Sequence, residues 1–459
     1  MLKLDFNKYI GNKEFYRKVA LICVPLVLQQ VLNSGMGIVD TIMVSSIGEV
    51  TAVGTASQIE NICITVCFGA VTGIGIFTAQ FFGAKEYDNM KKTFGIASLF
   101  AIASGLLWMI VVWFFPREVI RFFINDEAVI NSAVKYLAIA KYTYVLVCLS
   151  FCFSYMYRCM HKTQIPMIIG VASMSVNCFF NYILIFGKLG MPVMGVAGAA
   201  YGTLIAQIVS VISYVSYTWG TKQPFIGTFK EMYGFSYAFV KPMLKRTFPL
   251  IVNETLFGLG MSLNTKAFGL LGKLAMDSYY VSGQIMNLFF VICNSVGSAT
   301  GAILGAELGK DNLKTAMRYS NYFLGLATML SITTSLMVVV SAQPLVQLFG
   351  IVDSQIFATA VLLVRLSAIR IALRLFTVVV FSALRAGGDA KFLTFLDSGI
   401  MLGFGIPLVY FLVLVCGLKD IAMLFLLVQV EQLVRVAIGL KRLKGNIWAK
   451  NLTNEINSA

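Results

Sequence analysis

The stretch PLVLQQVLNSGMGIVDTIMV (residues 25–44) returns near the middle of the chain as PLIVNETLFGLGMSLNTKAF (residues 249–268), an offset of 224 positions, 249 less 25. Each copy opens on proline and is mostly apolar. Gln29-Gln30 falls on Asn253-Glu254, and Asp40 falls on Asn264. Gly48 then matches Gly272, and after two residues of drift Gln58-Ile59 matches Gln284-Ile285 and Gly83 matches Gly309. Both of those last glycines open short charged loops, GAKEYDNMKK and GKDNLKTAMR. Further on, YRCMHKTQ (157–164) answers LRAGGDAK (384–391). A chain that resembles itself in this way is built from two related halves.

Composition decides the solvent of those halves. The 459 residues are 58% hydrophobic and only 12% charged, with a mean hydropathy of +0.82. A soluble chain carries about 25% charged residues, so too little charge is present to cover water-facing domains. The apolar runs are continuous rather than alternating with polar residues, which excludes a β-barrel. Spans are expected at 19–46, 51–80, 93–116, 133–158, 164–187, 194–219, 247–271, 276–306, 316–342, 356–384, 392–416 and 419–440. The first is too long for a signal peptide and lacks a small-residue cleavage site, so it reads as an uncleaved span. Residues 117–132 read as a short amphipathic surface helix.

The lobes are then 1–219 and 247–459, and 220–246 reads as a linker with Pro224, Gly227, Gly234 and Pro242. Six spans per half, an even number, make the repeats parallel and relate them by an axis along the membrane normal. The expectation is an all-α membrane protein of about twelve transmembrane helices, in two six-helix lobes related by pseudo-two-fold symmetry. That build belongs to transporters that rock two bundles.

A net charge of +15 invites a nucleic-acid partner, but the basic residues fall in short segments between apolar runs, so none is expected. With the N-terminus inside, 24 of the 36 Lys and Arg lie in cytoplasmic segments, six on the opposite side and six within spans. That bias predicts both termini in the cytoplasm and a multi-pass protein of the cytoplasmic membrane. The nine cysteines lie in apolar runs and read as small buried residues, not disulfides. One histidine and no Cys-x-x-Cys give no metal motif, and no cofactor is expected. Without a catalytic constellation, an enzyme is not expected either.

At these residues the sequence resembles the multidrug and toxic compound extrusion (MATE) family of secondary antiporters. The likeness is carried by PLVLQQVLNSGMGIVDTIMVSSIGEVTAVG (25–54), FPLIVNETLFGLG (248–260), LRAGGDAKFLTFLD (384–397) and GKLGMPVMGVAGAAYGTLIAQ (187–207). It implies a V-shaped pair of lobes and export of amphipathic, often cationic, compounds driven by inward H⁺ or Na⁺. The chain departs from the resemblance twice. Many relatives have an acid in the tenth span where this chain has Arg374, and some have one in the fifth span, where only Asn177 and Asn181 are offered.

Charges inside the spans cost at least about 2.5–3.5 kcal/mol each on insertion scales, so each calls for a partner or a task. In the first half Asp40, Glu60 and Lys141 lie roughly 9, 13 and 12 Å below the outer ends of their helices. Two acids and one lysine in one cavity would leave a negative charge for a proton or Na⁺ to neutralise. A cationic substrate and the coupling ion would then compete for one carboxylate. Gln29 and Asn33 extend a polar face of the first helix toward Asp40. The alternative is a structural pair of Asp40 with Lys141, with Glu60 capping a lobe interface.

In the second half Glu254, Asp397 and Glu431 face Arg370, Arg374 and Arg435, with Glu431/Arg435 and Arg370/Arg374 each one turn apart. This set reads either as a neutralised ion-pair network or, by resemblance for Glu254, as part of a cation or substrate site. Pro25 and Pro249 occupy equivalent points and are plausible hinges or merely tolerated membrane prolines. The favoured reading is a monomeric antiporter that exports an amphipathic cationic compound across the bilayer by alternating access. The runner-up is a flippase for a lipid-linked or polysaccharide intermediate, whose anionic headgroup would need Arg365, Arg370 and Arg374 without acidic partners.

Overall fold

A computed structural model describes residues 8–454 except 46, 125, 350, 352 and 446; within helices the side chains of 33–39, 41, 42, 45, 50 and 273 lie outside the description. The described chain is helical. The first half runs α1 (Lys13–Ser45), α2 (Val50–Ala84), α3 (Tyr87–Phe114), α4 (Pro116–Arg121), α5 (Glu127–Ala140), α6 (Thr143–Cys159), α7 (Gln164–Phe186) and α8 (Val196–Gly220). After α9 (Phe229–Tyr233), the second half runs α10 (Tyr237–Gly269), α11 (Lys273–Gly309), α12 (Leu313–Gln347) and α13 (Ser354–Ala386). The helical segment Ala390–Val415, which begins with α14 (Ala390–Thr394) and includes α15 (Ile406–Tyr410), and α16 (Ile421–Lys444) complete it.

Among the described residues ten helices are long and apolar enough to cross a membrane, eleven if the bent pair α5 and α6 counts as one span. The expected span 247–271 lies on α10, which carries Asn253, Glu254, Asn264 and Lys266 and is too polar to join them. At 33 residues it is nevertheless about 50 Å long.

Three local expectations are corrected. The span 133–158 is not one rod: α5 and α6 meet at 55° across Lys141-Tyr142. The surface helix expected over 117–132 is only α4, tied back by Arg117 and Arg121 to Glu127 at the start of α5. In the segment expected as a plain helix over 392–416, Phe395–Gly399, Met401–Gly405 and Phe411–Val415 are wound as wider π-type turns. Pro407 offers no N–H to the turn before it, which helps to break the α register there.

The chain groups into two compact units, Pro25–Thr247 and Met1–Val24 together with Phe248–Ala459. The opening segment thus packs with the second half of the chain, not with the rest of 1–219. Side chains explain this: Phe15 is fully buried against Tyr319, Tyr322 and Phe323 on α12, and Cys23 Sγ reaches the Ser295 carbonyl at 3.4 Å. Hydropathy along a chain cannot show which half a helix end will join. Segment 220–246 belongs to the first unit, and α10 begins within it. Its α9 is capped by Thr228 and Glu231 and is held to α3 by Lys91–Glu231 (3.1 Å) and Ser98–Tyr233 (3.1 Å). The chain passes between units at Val24–Pro25 and at Thr247–Phe248, just before Pro249.

In the first unit α2 packs on α3 and α6, and α7 lies along α8. In the second, α13 is central, packed by α11, α12 and α16.

Candidate functional site

Asp40, in the last two turns of α1, meets α7. Asn181 Nδ2 donates to Asp40 Oδ1 at 2.9 Å, and Asn177 lies one turn before Asn181. Turning the Asn177 amide about its last bond puts its nitrogen 3.1 Å from both Asp40 oxygens and lets its oxygen accept from Thr203 N at 3.3 Å. That orientation is the one a carboxylate favours, since it can only accept when ionised. Both asparagines are buried. Gly202 on α8 makes the room: a Cβ there would land on Asn181 Oδ1. That oxygen is itself buried and accepts no hydrogen bond among the described residues.

The other first-half residues fall around this cluster unequally. Glu60 on α2 is half-buried and forms no ion pair among the described residues. Tyr136 on α5 is buried and in electrostatic reach of both Glu60 and Asp40. Lys141 does not join them. Its ammonium lies 4.0 Å from the centre of the Trp113 ring, at the break between α5 and α6, so the expected acid–acid–lysine triad does not form among the described residues. Gln29 is eleven residues from Asp40, about 16 Å along the helix. It donates to the Pro166 carbonyl at 3.3 Å instead. The side chain of Asn33 lies outside the described residues.

The second unit holds three acids, but not with the three arginines expected. Arg435 binds Asp397 at 2.7 Å through Nη1 and pairs with Glu431 through Nη2. Glu254 pairs with Arg385 at 3.0 Å. Asn253 donates to Asp397 Oδ2 at 2.9 Å, while its own oxygen accepts from Ser398 Oγ at 2.6 Å. The π-type turns bring Gly405 against Glu431, where a Cβ would collide with the carboxylate.

Two arginines therefore answer three acids, and Arg370 and Arg374 form no ion pair among the described residues. Arg370 lies over the rings of Phe290 (5.6 Å) and Phe425 (6.0 Å). Arg374 is half-buried and within electrostatic reach of Asp397 and Glu254, and Arg370 is within reach of Glu431; each of these acids is already paired with Arg385 or Arg435. At about 2.5–3.5 kcal/mol for each charge held at membrane depth, neither is a casual placement. Of the residues grouped from sequence, Glu431, Arg435 and Asp397 are joined by ion pairs, whereas Arg370 and Arg374 form none among the described residues. Residues one turn apart share a face, yet two like charges there repel.

Tyr136, Thr203 and Gly202 were missed by the sequence reading, as were Asn253, Ser398 and Arg385 as pairing groups. The usable signal for the amides was their setting, polar side chains inside apolar helices. Among the described residues no group of three or more His, Cys, Asp and Glu gathers as a metal would require.

The MatE family model matches residues 25–183 and 249–411, so its two matches begin at Pro25 and Pro249. The uncharacterized transporter YisQ of Bacillus subtilis is 24% identical over 426 residues, covering 92% of this chain and 93% of its own. A probable multidrug resistance protein NorM of Neisseria meningitidis serogroup B is 25% identical over 369 residues, 76% of this chain and 77% of its own. Among solved structures, the Vibrio cholerae MATE transporter VcmN in its bent form is similar with a TM-score of 0.85 at 15% identity, covering 96% of this chain and 98% of that one. A MOP superfamily transporter from Pyrococcus furiosus, described as having a binding pocket of reverse polarity, is similar with a TM-score of 0.84 at 17% identity, covering 97% and 99%.

Proposed function

The chain belongs to the MatE family and is a membrane transporter, not an enzyme, and from that premise we propose that it is a cation-coupled antiporter that exports amphipathic organic compounds by alternating access. The observation that supports this reading is Asp40, a carboxyl at membrane depth that is met by amides and by no cationic side chain among the described residues. Asn181 and Asn177 can stabilise the charged form, while burial disfavours it. A group balanced in this way can lose its charge to a proton or share it with Na⁺. Glu60 is a second acceptor for the ion, with Tyr136 between the two. A cationic compound would compete with the ion for the same carboxylate, which is the coupling.

On this reading the protein lies in the cytoplasmic membrane, both termini are cytoplasmic, and it works as a monomer. Pro25 and Pro249 are the bending points, and the passage of the chain from one unit to the other at those residues supports the assignment. Asp40→Asn keeps the shape and removes the charge. In a drug-sensitive host the wild-type chain should raise resistance to cationic dyes, and Asp40→Asn should abolish that resistance while reaching the membrane in equal amount. Full resistance with Asp40→Asn would overturn the coupling role. Vesicles energised with a Na⁺ gradient alone or a pH gradient alone identify the ion.

A second reading, a flippase for a lipid-linked or polysaccharide intermediate, is favoured by one observation. Arg370 and Arg374 form no ion pair among the described residues, which leaves them open to an anionic headgroup.

A further inference from the structure

The second unit holds more positive charge at membrane depth than its own acids use. Glu254, Asp397 and Glu431 are engaged by Arg385 and Arg435, and Asn253 takes the second oxygen of Asp397. Arg370 and Arg374 remain, one turn apart on α13, the helix that α11, α12 and α16 surround. Among the described residues neither guanidinium donates a hydrogen bond, although each carries five N–H groups in a planar fork. Arg370 lies over the rings of Phe290 and Phe425, which can hold a cation but cannot accept its N–H groups as an anion would. Both side chains are half-buried, neither sealed in the core nor fully in water.

Like charges at this spacing repel. Asp397 and Glu254 lie within electrostatic reach of Arg374, and Glu431 within reach of Arg370, but all three acids are already paired with Arg385 or Arg435, so an anion between the two guanidiniums would supply a partner that no ion pair provides. We propose that Arg370 and Arg374 form an anion subsite in the second unit, which takes the carboxylate or phosphate of an amphipathic substrate. The assignment rests on the transporter reading for its purpose and narrows the substrate class: the exported amphiphile carries an acidic group in addition to the cationic one that would compete at Asp40. Two guanidinium forks match the planar oxygens of a carboxylate or phosphate, in bidentate pairs that an ammonium could not form. The same pair disfavours a purely cationic compound at this point.

The test uses the purified full-length protein in neutral detergent, without any ion gradient, so its result does not depend on whether antiport occurs. The probes are pyrenebutyrate and its neutral amide, which share one apolar body and differ in charge. Binding is read by fluorescence anisotropy. The wild-type chain should bind the acid at least tenfold more tightly than the amide. Arg374→Gln and Arg370→Gln should each reduce that ratio sharply, and Arg374→Lys should retain part of it.

Equal binding of acid and amide by the wild type overturns the proposal, even if Arg374→Gln fails to fold. An unchanged ratio in well-folded Arg370→Gln together with well-folded Arg374→Gln overturns it as well. A further arm adds dioleoyl phosphatidate or phosphatidylcholine to the micelles. Displacement of the acid by phosphatidate alone supports the subsite with a lipid phosphate as occupant. A preference for the acid that phosphatidate leaves intact supports it with a soluble organic acid.

Discussion

Gly202→Ala probes the Asp40 cluster without altering a charge or a donor. A methyl group at 202 would land on Asn181 Oδ1 and lie 3.0 Å from both Cγ and the backbone N of Asn181. The backbone of α7 cannot yield without parting from α8, so the Asn181 side chain has to swing. That movement breaks its 2.9 Å bond to Asp40. A hydrogen bond to a carboxylate contributes about 1.5–3 kcal/mol. Overpacking of a close contact costs about 1–3 kcal/mol. The single substitution should therefore destabilise the protein by about 2.5–6 kcal/mol. In an Asn181→Ala background the colliding oxygen and the bond are both gone, and only the backbone contact remains. Gly202→Ala should then cost about 1 kcal/mol. The double-mutant cycle is expected to show a coupling of at least about 1.5 kcal/mol, measured by SDS titration with tryptophan fluorescence. Additivity of the two substitutions within about 0.5 kcal/mol would refute the arrangement.

Arg435→Met leaves Asp397 and Glu431 without their shared partner and should destabilise by about 3–5 kcal/mol in the same titration, whereas replacing all three by apolar residues of similar volume should recover most of it. Phe15→Ala removes the side chain that seats the opening segment on α12 and should cost about 3–5 kcal/mol; limited proteolysis should then cut near residues 8–24 before any other site. Glu231 lies outside the spans, and the Thr228 backbone N–H (2.7 Å) together with Lys91 holds its carboxyl below the ordinary value of 4.5. Because the folded-state value is the lower one, this contribution is present above about pH 4.5 and is lost as the pH falls through the folded value. Hydrogen exchange across α9 should therefore accelerate below about pH 4.5 relative to the intrinsic rate, and Glu231→Gln should remove that dependence.

The sequence made the helices legible because a bilayer demands long apolar runs, and α7, α8, α12 and α13 lie close to where hydropathy puts them. Breaks inside a run were not legible. Lys141-Tyr142 interrupts α5 and α6 without a glycine or proline to announce it. Of the site, the acids were legible because charge in an apolar run is conspicuous. Their partners were harder, since an amide such as Asn181 becomes a ligand only through the helix it happens to face. Arg374 shows the limit most plainly. Its depth and its charge were readable, but whether Asp397 would answer it depended on Arg435 and Asn253 arriving first.

The repeat adds a constraint that neither unit states alone. At the first repeat position the second unit has Asn253, which donates to Asp397; the first unit has Gln29, which donates to the Pro166 carbonyl and lies against Gly170. Gly170 stands 227 positions before Asp397, the offset that also relates Arg158 to Arg385. The amide is thus kept in both units, and the acid opposite it survives only in the second. At the outer position the exchange runs the other way, with Asp40 in the first unit and Asn264 in the second. Asp40 thus corresponds to an amide in the other copy and Asp397 to a glycine, so the two units keep these carboxyls at different positions of the repeat. The arginines follow the same division, for Arg370 and Arg374 have no basic counterparts at Thr143 and Val147, 227 positions earlier. On the proposed reading the two copies therefore differ in what they hold, a cation at Asp40 in one and an acidic group at Arg370 and Arg374 in the other, a difference that two identical units could not supply.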